Sequence, residues 1–175
     1  DTLAKIIKPK KVLPAIVEFV DIAGLVAGAS NGEGLGNKFL SNIRETTAIL
    51  NVIRCFNDSN IVHVNGSVDP VSDAETIATE LALADLASIE KQLLKSEKLE
   101  KTGDKDAKNF CNLLRKCRDH LDNAKPLRSL NIDFLDLQLL KPFCLLTLKP
   151  MMFVANVSED GFEENNHLES LKKYA

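Results

Sequence analysis

The chain has 175 residues, of which 45% are hydrophobic and 27% are charged, and this balance predicts a single globular domain with room for an insertion. A formal net charge of −3 gives no case for a strongly basic surface, so we expect no sequence-specific nucleic-acid partner. No apolar run approaches the roughly 20 residues that a membrane-spanning helix needs, so we expect no membrane partner.

The first predicted element is a buried strand. Residues 1–14 predict an exposed approach, and the mostly apolar run 15–21 predicts a strand that ends at Asp21. Five of the eight glycines then fall between Gly24 and Gly36. Glycine is used where the backbone needs a positive φ or must approach another group closely. An aspartate at a strand end can hold hydrated Mg²⁺, and the Gly24 N–H can face a terminal phosphate, although an ordinary strand-to-loop turn is the alternative.

A helix and a second strand follow the glycine-rich loop. Residues 37–46 predict a short helix, and residues 48–56 predict a second buried strand. The order strand, helix, strand predicts parallel strands with a right-handed crossover. Arg54 interrupts the second strand, and a carboxylate partner for it stays open. His63, in an apolar run, is interpreted as a structural residue rather than a ligand.

A helical hairpin comes next. Ser72 and Glu75 form a capping box that predicts the start of a long helix reaching about Leu99. Gly103 marks a turn, and a second amphipathic helix is predicted over about 106–124. Charges of both signs surround the tip, which is typical of a solvated end, with a docking arm as the alternative.

The end of the chain returns to the predicted sheet. A helix is predicted near 133–140, a third buried strand over 151–155, and the start of another helix over 166–175. We therefore predict an α/β fold, a parallel sheet with an inserted antiparallel helical hairpin.

The predicted division of the chain has three parts. Residues 1–56 form the first part of the domain that contains the sheet, and residues 146–175 form its second part. Residues 57–145 form the insertion, with a coiled-coil hairpin over about 72–125.

Four cysteines are spread along the chain without the spacing of a metal site or a paired disulfide framework. All four have apolar neighbours, and we interpret them as reduced core thiols of a cytoplasmic protein. They are Cys55, Cys111, Cys117 and Cys144.

The third predicted strand delivers a second polar motif, Asn156-Val157-Ser158-Glu159. P-loop GTPases carry Asn-Lys-x-Asp at the matching place, where the Asp accepts hydrogen bonds from guanine. Here Val157 replaces the lysine, and Glu159 extends the carboxylate by one methylene. A misplaced polar group in such a pocket can cost several orders of magnitude in discrimination, so the motif disfavours guanine without establishing adenine.

These motifs resemble one family closely. The segment 21–37 resembles the switch II segment of the YchF/Obg-like ATPases, and further segments across the chain resemble the same family, namely 61–64, 66–70, 80–86, 146–150 and 156–159. The resemblance implies a ribosome-binding P-loop ATPase of the translation-factor class with a G domain, an inserted coiled coil and a C-terminal TGS domain. The predicted parallel sheet would then be a partial P-loop NTPase (G-domain) sheet, with residues 1–56 and 146–175 as the two parts of the G domain. It implies a role in translation or stress responses, a preference for ATP over GTP, Mg²⁺ as cofactor with K⁺ as a further candidate, and the ribosomal large subunit as partner.

The resemblance also implies roles for particular residues. Asp21 would hold Mg²⁺ through water, and Gly24 would meet the γ-phosphate. The nucleotide base would be bound by Asn156, Val157 and Glu159.

Two residues depart from catalytic patterns of relatives. Leu25 stands where many GTPases have a water-orienting Gln, and a leucine cannot orient water by hydrogen bonding. Asn51 stands where family members often carry His, and an amide is no acid–base group at neutral pH. We therefore assign no catalytic residue.

The chain also contains no Gly-x-x-x-x-Gly-Lys-Ser/Thr motif, so we expect that phosphate-binding loop upstream of Asp1 and little ATPase activity from this chain alone. The alternative functions are a non-catalytic, nucleotide-switched binding module that acts through its hairpin, and an unrelated α/β scaffold.

Overall fold

The computed structural model describes residues 2–13, 15–22, 35–58 and 67–175. The predictions for Gly24, Leu25 and His63 lie outside the described residues. The helices and strands, in chain order, are α1 (Thr2–Ile7), α2 (Leu35–Glu45), β1 (Ile49–Arg54), α3 (Pro70–Glu100), α4 (Lys105–Asp122), α5 (Phe134–Leu140), β2 (Met151–Asn156) and α6 (Asn166–Tyr174). Short 3₁₀ turns occur at Leu127–Ser129, Lys141–Phe143 and Leu146–Leu148.

The sheet consists of β1 and β2, which pair in parallel as predicted. The register runs from Ile49 opposite Met151 to Arg54 opposite Asn156, so both strands end at the same edge. Alternate residues of β1 point to opposite faces: Ile53 is buried against the helices, whereas Val52 is exposed on the other face.

The strand predicted over residues 15–21 is wrong, because residues 15–22 adopt no regular structure. The side chain of Ile16 is 90% exposed and that of Phe19 is 75% exposed. An extended segment is stable when its N–H and C=O groups pair with a neighbouring strand, and in the described part of the chain β1 and β2 pair with each other alone. Asp21 therefore does not lie at a strand end. The approach predicted over 1–14 is exposed at residues 5–13 as expected, and it contains α1.

The hairpin is present, and α3 begins earlier than predicted. Asp69 caps the helix, since its side chain accepts hydrogen bonds from the Val71 and Ser72 N–H groups, both at 3.2 Å. Pro70 occupies the first turn, where its missing N–H costs nothing. The capping box predicted at Ser72 is therefore wrong, because a better N-cap precedes it.

The second helix of the hairpin, α4, also has an aspartate cap. Asp104 accepts from the Asp106 and Ala107 N–H groups at 2.8 and 3.1 Å. The helix predicted near 133–140 is confirmed as α5, and the final predicted helix is confirmed as α6.

The largest core cluster joins the hairpin to the segment that follows it. Its buried residues come from α3, α4 and α5, from the segment between α4 and α5, and from the segment between α5 and β2. They are Ile89, Leu93, Cys111, Leu113, Leu114, Cys117, Leu121, Leu127, Leu140 and Leu145. Two smaller clusters lie between α3 and the sheet, one around Leu40, Ile43 and Leu81 and the other around Ile53, Cys55 and Leu171. The hairpin is thus packed against the sheet through α3.

The cysteine prediction holds for three residues of four. Cys55, Cys111 and Cys117 are buried, and all four cysteines of the described part are free thiols. Burial raises the pKa of each of these three thiols, that of Cys117 to about 11. Cys144 is exposed instead, because it ends the turn at Lys141–Phe143 in a left-handed conformation with φ 46°.

Candidate nucleotide-binding site

The carboxyl ends of β1 and β2 form one edge of the sheet. The Cys55 N–H, just after β1, donates to the carbonyl oxygen of Asn156 at 2.7 Å. Arg54, the charged residue at the end of β1, donates to the carbonyl oxygens of Phe56 at 3.0 Å and Asp58 at 3.2 Å. Its guanidinium also lies 4.7 Å from the centre of the Phe56 ring. These contacts fold the chain back on itself directly after β1.

The segment that follows β2 folds into a tight turn at the same edge. The Gly161 N–H donates to the Ser158 carbonyl oxygen at 2.9 Å. Asn165 Nδ2 donates to two carbonyl oxygens, those of Cys55 and Gly161, at 2.9 Å each. The segments after the two strands are therefore joined by one side chain.

A cavity of about 330 Å³ lies between these two segments. Most of its lining is polar, and the lining residues are Cys55, Phe56, Asn57, Ser158, Gly161, Glu163, Glu164, Asn165, Asn166 and His167. Asn57 Nδ2 and His167 Nε2 are 3.4 Å apart across it. In open α/β sheets, ligands bind in the crevice beyond the carboxyl ends of the strands, so this cavity is the candidate nucleotide-binding site.

Three predicted base-binding residues lie at this edge. Asn156 is the last residue of β2 and is exposed, as is Glu159. Val157 is half-buried and packs on the cluster that contains Ile53 and Leu171. Val157 is thus held by the core, whereas Asn156 and Glu159 are exposed at the edge.

Asp21 is not brought to this edge. It is exposed, and the next residue, Ile22, packs on the cluster around Leu40 to which Ile49 and Met151 also belong. Ile49 and Met151 are the first residues of the two strands, so Ile22 lies towards the end of the sheet opposite to Asn156. The predicted cleft shared by Asp21 and Asn156 is therefore absent from the described part of the chain.

A magnesium site cannot be assembled from the residues that the structure describes. Among them, no three His, Cys, Asp or Glu residues are grouped closely enough to hold a metal ion. Asp21 offers a single exposed carboxylate, whereas Mg²⁺ requires octahedral oxygen ligation. The described residues therefore do not fit Mg²⁺ by themselves.

Asn51 lies inside the fold rather than at the cavity. It is in β1 opposite Phe153 and is only 5% exposed. Its Nδ2 has no hydrogen-bond partner among the described residues. A buried donor without an acceptor is destabilising, typically by about 1–3 kcal/mol.

The residues that sequence reasoning missed are polar groups that satisfy backbone atoms. Asn165 is one, and its position just before a predicted helix is a signal for an N-cap that could have found it. Asp85 is another, and it is fully buried. Its carboxylate accepts hydrogen bonds from the Leu146 N–H at 2.8 Å and from the Thr147 N–H and hydroxyl at 2.7 Å each.

Electrostatics at Asp85 combine opposing effects. Burial raises the pKa of the Asp85 carboxyl above its usual range, while the hydrogen bonds from Thr147 and Leu146 and the charge of Arg44 oppose that rise. The guanidinium of Arg44 lies 3.8 Å from the carboxylate. The signal in the sequence is a lone aspartate on the apolar stripe of α3, four residues after Leu81.

Arg44 connects α2 with the hairpin. Its guanidinium donates to the carbonyl oxygens of Phe143, Cys144 and Ala84 at 3.3 Å each and to the Ser88 hydroxyl at 3.1 Å. The Arg44 side chain therefore joins α2, the helix that follows the glycine-rich segment in the sequence, to α3.

Comparison with known proteins gives close relatives over the whole chain. The ribosome-binding ATPase YchF of Haemophilus influenzae is 54% identical over 175 residues, which cover 100% of this chain and 48% of that protein. The protein of the same name from Bacillus subtilis is 47% identical over 176 residues, with 99% of this chain and 48% of that protein covered. No family model matches the chain.

A solved structure agrees with these relatives. The structure of the Schizosaccharomyces pombe YchF GTPase matches with a TM-score of 0.78 and 35% identity, covering 99% of this chain and 48% of that chain. The chain therefore spans about half the length of the relatives that it matches. Since similarity at this level extends over its whole length, the chain belongs to the YchF family of Obg-like ATPases.

Proposed function

We propose that this chain is the part of a P-loop ATPase that recognises the purine base and carries the helical hairpin, and that the whole protein binds ATP, hydrolyses it and associates with the ribosome. The observation that carries this proposal is the parallel pairing of β1 and β2, because the segment with Asn156, Val157 and Glu159 follows β2 at the carboxyl edge, and Ser158 and Gly161 of that segment line a polar cavity. The names of the relatives, ribosome-binding ATPase and GTPase, support a nucleotide as ligand.

The chemistry of the motif supports ATP as the preferred nucleotide. Val157 replaces the lysine of P-loop GTPases, and the Glu159 carboxylate, displaced by one methylene from the position that fits the guanine edge, remains an acceptor for the amino group of adenine. The phosphate-binding residues are not part of this proposal, because Asp21 lies towards the end of the sheet opposite to Asn156 and the described residues do not fit Mg²⁺. Leu25 and Asn51 leave the water-activating group unassigned.

The test uses the full-length protein and measures binding of ATP and GTP. Glu159→Ala should weaken ATP binding by about tenfold, the contribution of a charged hydrogen bond. The combined change Val157→Lys and Glu159→Asp should shift the preference towards GTP. Glu169→Ala is the matched control, because this glutamate of α6 pairs on the surface with Lys172 at 2.8 Å. Absence of ATP binding in the unaltered protein would contradict the proposal and favour the scaffold alternative.

A second candidate function is a nucleotide-switched binding module that acts through the hairpin. The bonds from Arg44 to Ala84 and Ser88 favour it, because they would carry a shift of α2 into α3. α3 has 31 residues and is about 46 Å long, so a small rotation at its base is enlarged at its tip.

The two candidates are separated by measuring ATP turnover and ribosome co-sedimentation in the full-length protein. The variants are a hairpin deletion and Arg44→Met. For an enzyme, the hairpin deletion should leave turnover intact. For a switch, Arg44→Met should abolish the nucleotide dependence of co-sedimentation. Ribosome association with undetectable turnover would favour the switch over the enzyme.

A further inference from the structure

One side chain ties the base-recognition loop, residues 156–161, to the end of β1 and to the helix that follows the loop. Asn165 Nδ2 donates to the Cys55 carbonyl oxygen, beyond β1, and to the Gly161 carbonyl oxygen, within the loop, at 2.9 Å each. Its Oδ1 accepts from the Leu168 N–H in the first turn of α6 at 3.1 Å. A single half-buried amide thus joins the end of β1, the loop after β2 and the helix that follows.

Gly161 lies tightly against Ser158, with little room for a side chain at position 161. The Gly161 N–H is bonded to the Ser158 carbonyl oxygen. A Cβ at position 161 would lie 2.7 Å from Ser158 Oγ, 3.2 Å from its nitrogen and 3.3 Å from its carbonyl oxygen. Since Ser158 stands between Val157 and Glu159, the contact from Gly161 and the bonds from Asn165 together fix the backbone from which both side chains project.

We propose that Asn165 is a positioning residue for purine recognition, whose amide holds the base-recognition loop in the shape that sets the preference between ATP and GTP. This inference rests on the proposed function of that loop. A binding group discriminates between ligands when its position is held to within about 0.5 Å, and Glu159, exposed at the edge, has its backbone placed by the loop alone.

A serine at position 165 separates this role from that of a helix cap. Serine is a good N-cap and retains an oxygen that can accept from the Leu168 N–H. It removes the amide donor, so the Cys55 and Gly161 carbonyl oxygens lose their common partner. Asn123→Ser is the matched control, because the exposed Asn123 amide donates to the Asp119 carbonyl oxygen at 2.7 Å at the end of α4, away from both strand ends.

The experiment measures steady-state ATP and GTP hydrolysis by the full-length protein together with its thermal unfolding. Asn165→Ser should lower the ratio of kcat/KM for ATP to that for GTP by about tenfold, the worth of one or two hydrogen bonds, through a higher KM for ATP. The kcat for ATP should change by less than about twofold, since no reacting group is touched. Asn123→Ser should leave the ratio unchanged.

An unchanged ratio in folded Asn165→Ser, with only the unfolding temperature lowered, would overturn this inference and leave the proposed function intact. If the unaltered protein shows no ATP binding, the proposed function falls and this inference with it. Gly161→Ala serves as a second variant, because it disturbs the same loop from within while leaving Asn165 and its helix cap in place. It should lower the ratio as well, and an unchanged ratio there would also overturn the inference.

Discussion

The hairpin of α3 and α4 and the two-stranded sheet meet their hydrogen-bonding and burial requirements in different ways. Each hairpin helix forms its backbone hydrogen bonds internally and buries one face. Residues such as Leu93 and Leu114 are therefore enclosed by side chains of the hairpin and of the segment that follows it. The sheet buries one face against α3 and leaves apolar side chains of the other exposed, with Val52 at 62% and Met152 at 61%.

This difference shows which parts of the chain depend on distant partners. Parallel strands are normally covered on both faces, and an exposed apolar sheet face is unusual in an isolated domain. Residues 15–21 are exposed as well, and in the described part of the chain they pair with no strand. The buried core of the hairpin is formed by residues between Ile89 and Leu145, whereas the described residues leave one face of the sheet uncovered.

The largest effect is expected at the junction between the two regions. Asp85→Ala removes the acceptor of three buried hydrogen bonds and leaves the Leu146 and Thr147 donors unpaired. We expect a loss of about 3–5 kcal/mol in the free energy of unfolding, measured by urea denaturation of the full-length protein. Asp122→Ala, at an exposed aspartate of the last turn of α4, is the control. A loss below about 1 kcal/mol in Asp85→Ala would show that the junction does not depend on this carboxylate.

The next prediction compares the two regions directly. Leu114→Ala in the hairpin core should cost about 2–5 kcal/mol, both in the 175-residue chain and in the full-length protein, because its cavity is enclosed by local neighbours. Val52→Ala should cost less than about 0.5 kcal/mol in the chain, as surface substitutions do, and more in the full-length protein. Equal costs for Val52→Ala in both would mean that the exposed sheet face stays uncovered.

The smallest effect concerns pH and the hairpin alone. Arg115 donates to Glu100 at 2.7 Å and to Glu97 at 3.1 Å, which joins α4 to α3 near the tip. The hydrogen bond from Arg115 lowers the pKa of Glu100 below its usual range. A carboxyl with a lower pKa in the folded state stabilises that state above its unfolded pKa of about 4.3, and this contribution is lost as the pH falls through the folded value.

Glu100→Gln should therefore be less stable than the unaltered protein at pH 7, and the difference should shrink below about pH 4. Urea midpoints between pH 7 and pH 3 measure it, with Glu90→Gln, an exposed position of the same helix, as control. A difference that is constant across this range would assign the effect of the substitution to packing instead of charge.

Within the described part of the chain, no helix is long and apolar enough to cross a membrane. The predicted cytoplasmic location, the three-part division of the chain and the coiled-coil character of the hairpin stay predictions.

The sequence by itself determined the helices from α2 to α6, apart from the start of α3, as well as both paired strands and the family. Periodic apolar residues and caps are local signals, so α4, α5 and α6 lie within two residues of their predicted bounds. The polar motif at Asn156 was also readable, because it directly follows a recognisable strand.

Only the tertiary structure decided which distant segments these elements pair with and pack against. Residues 15–21 have the composition of a strand, but a strand exists when another strand pairs with it, and composition does not encode that partner. The roles of Asp85 and Asn165 depend on backbone groups 61 and 110 positions away along the chain, and no local pattern specifies such contacts. Local hydrogen bonding fixes a helix from its own sequence, whereas a sheet edge and the loop that closes it are fixed by distant segments.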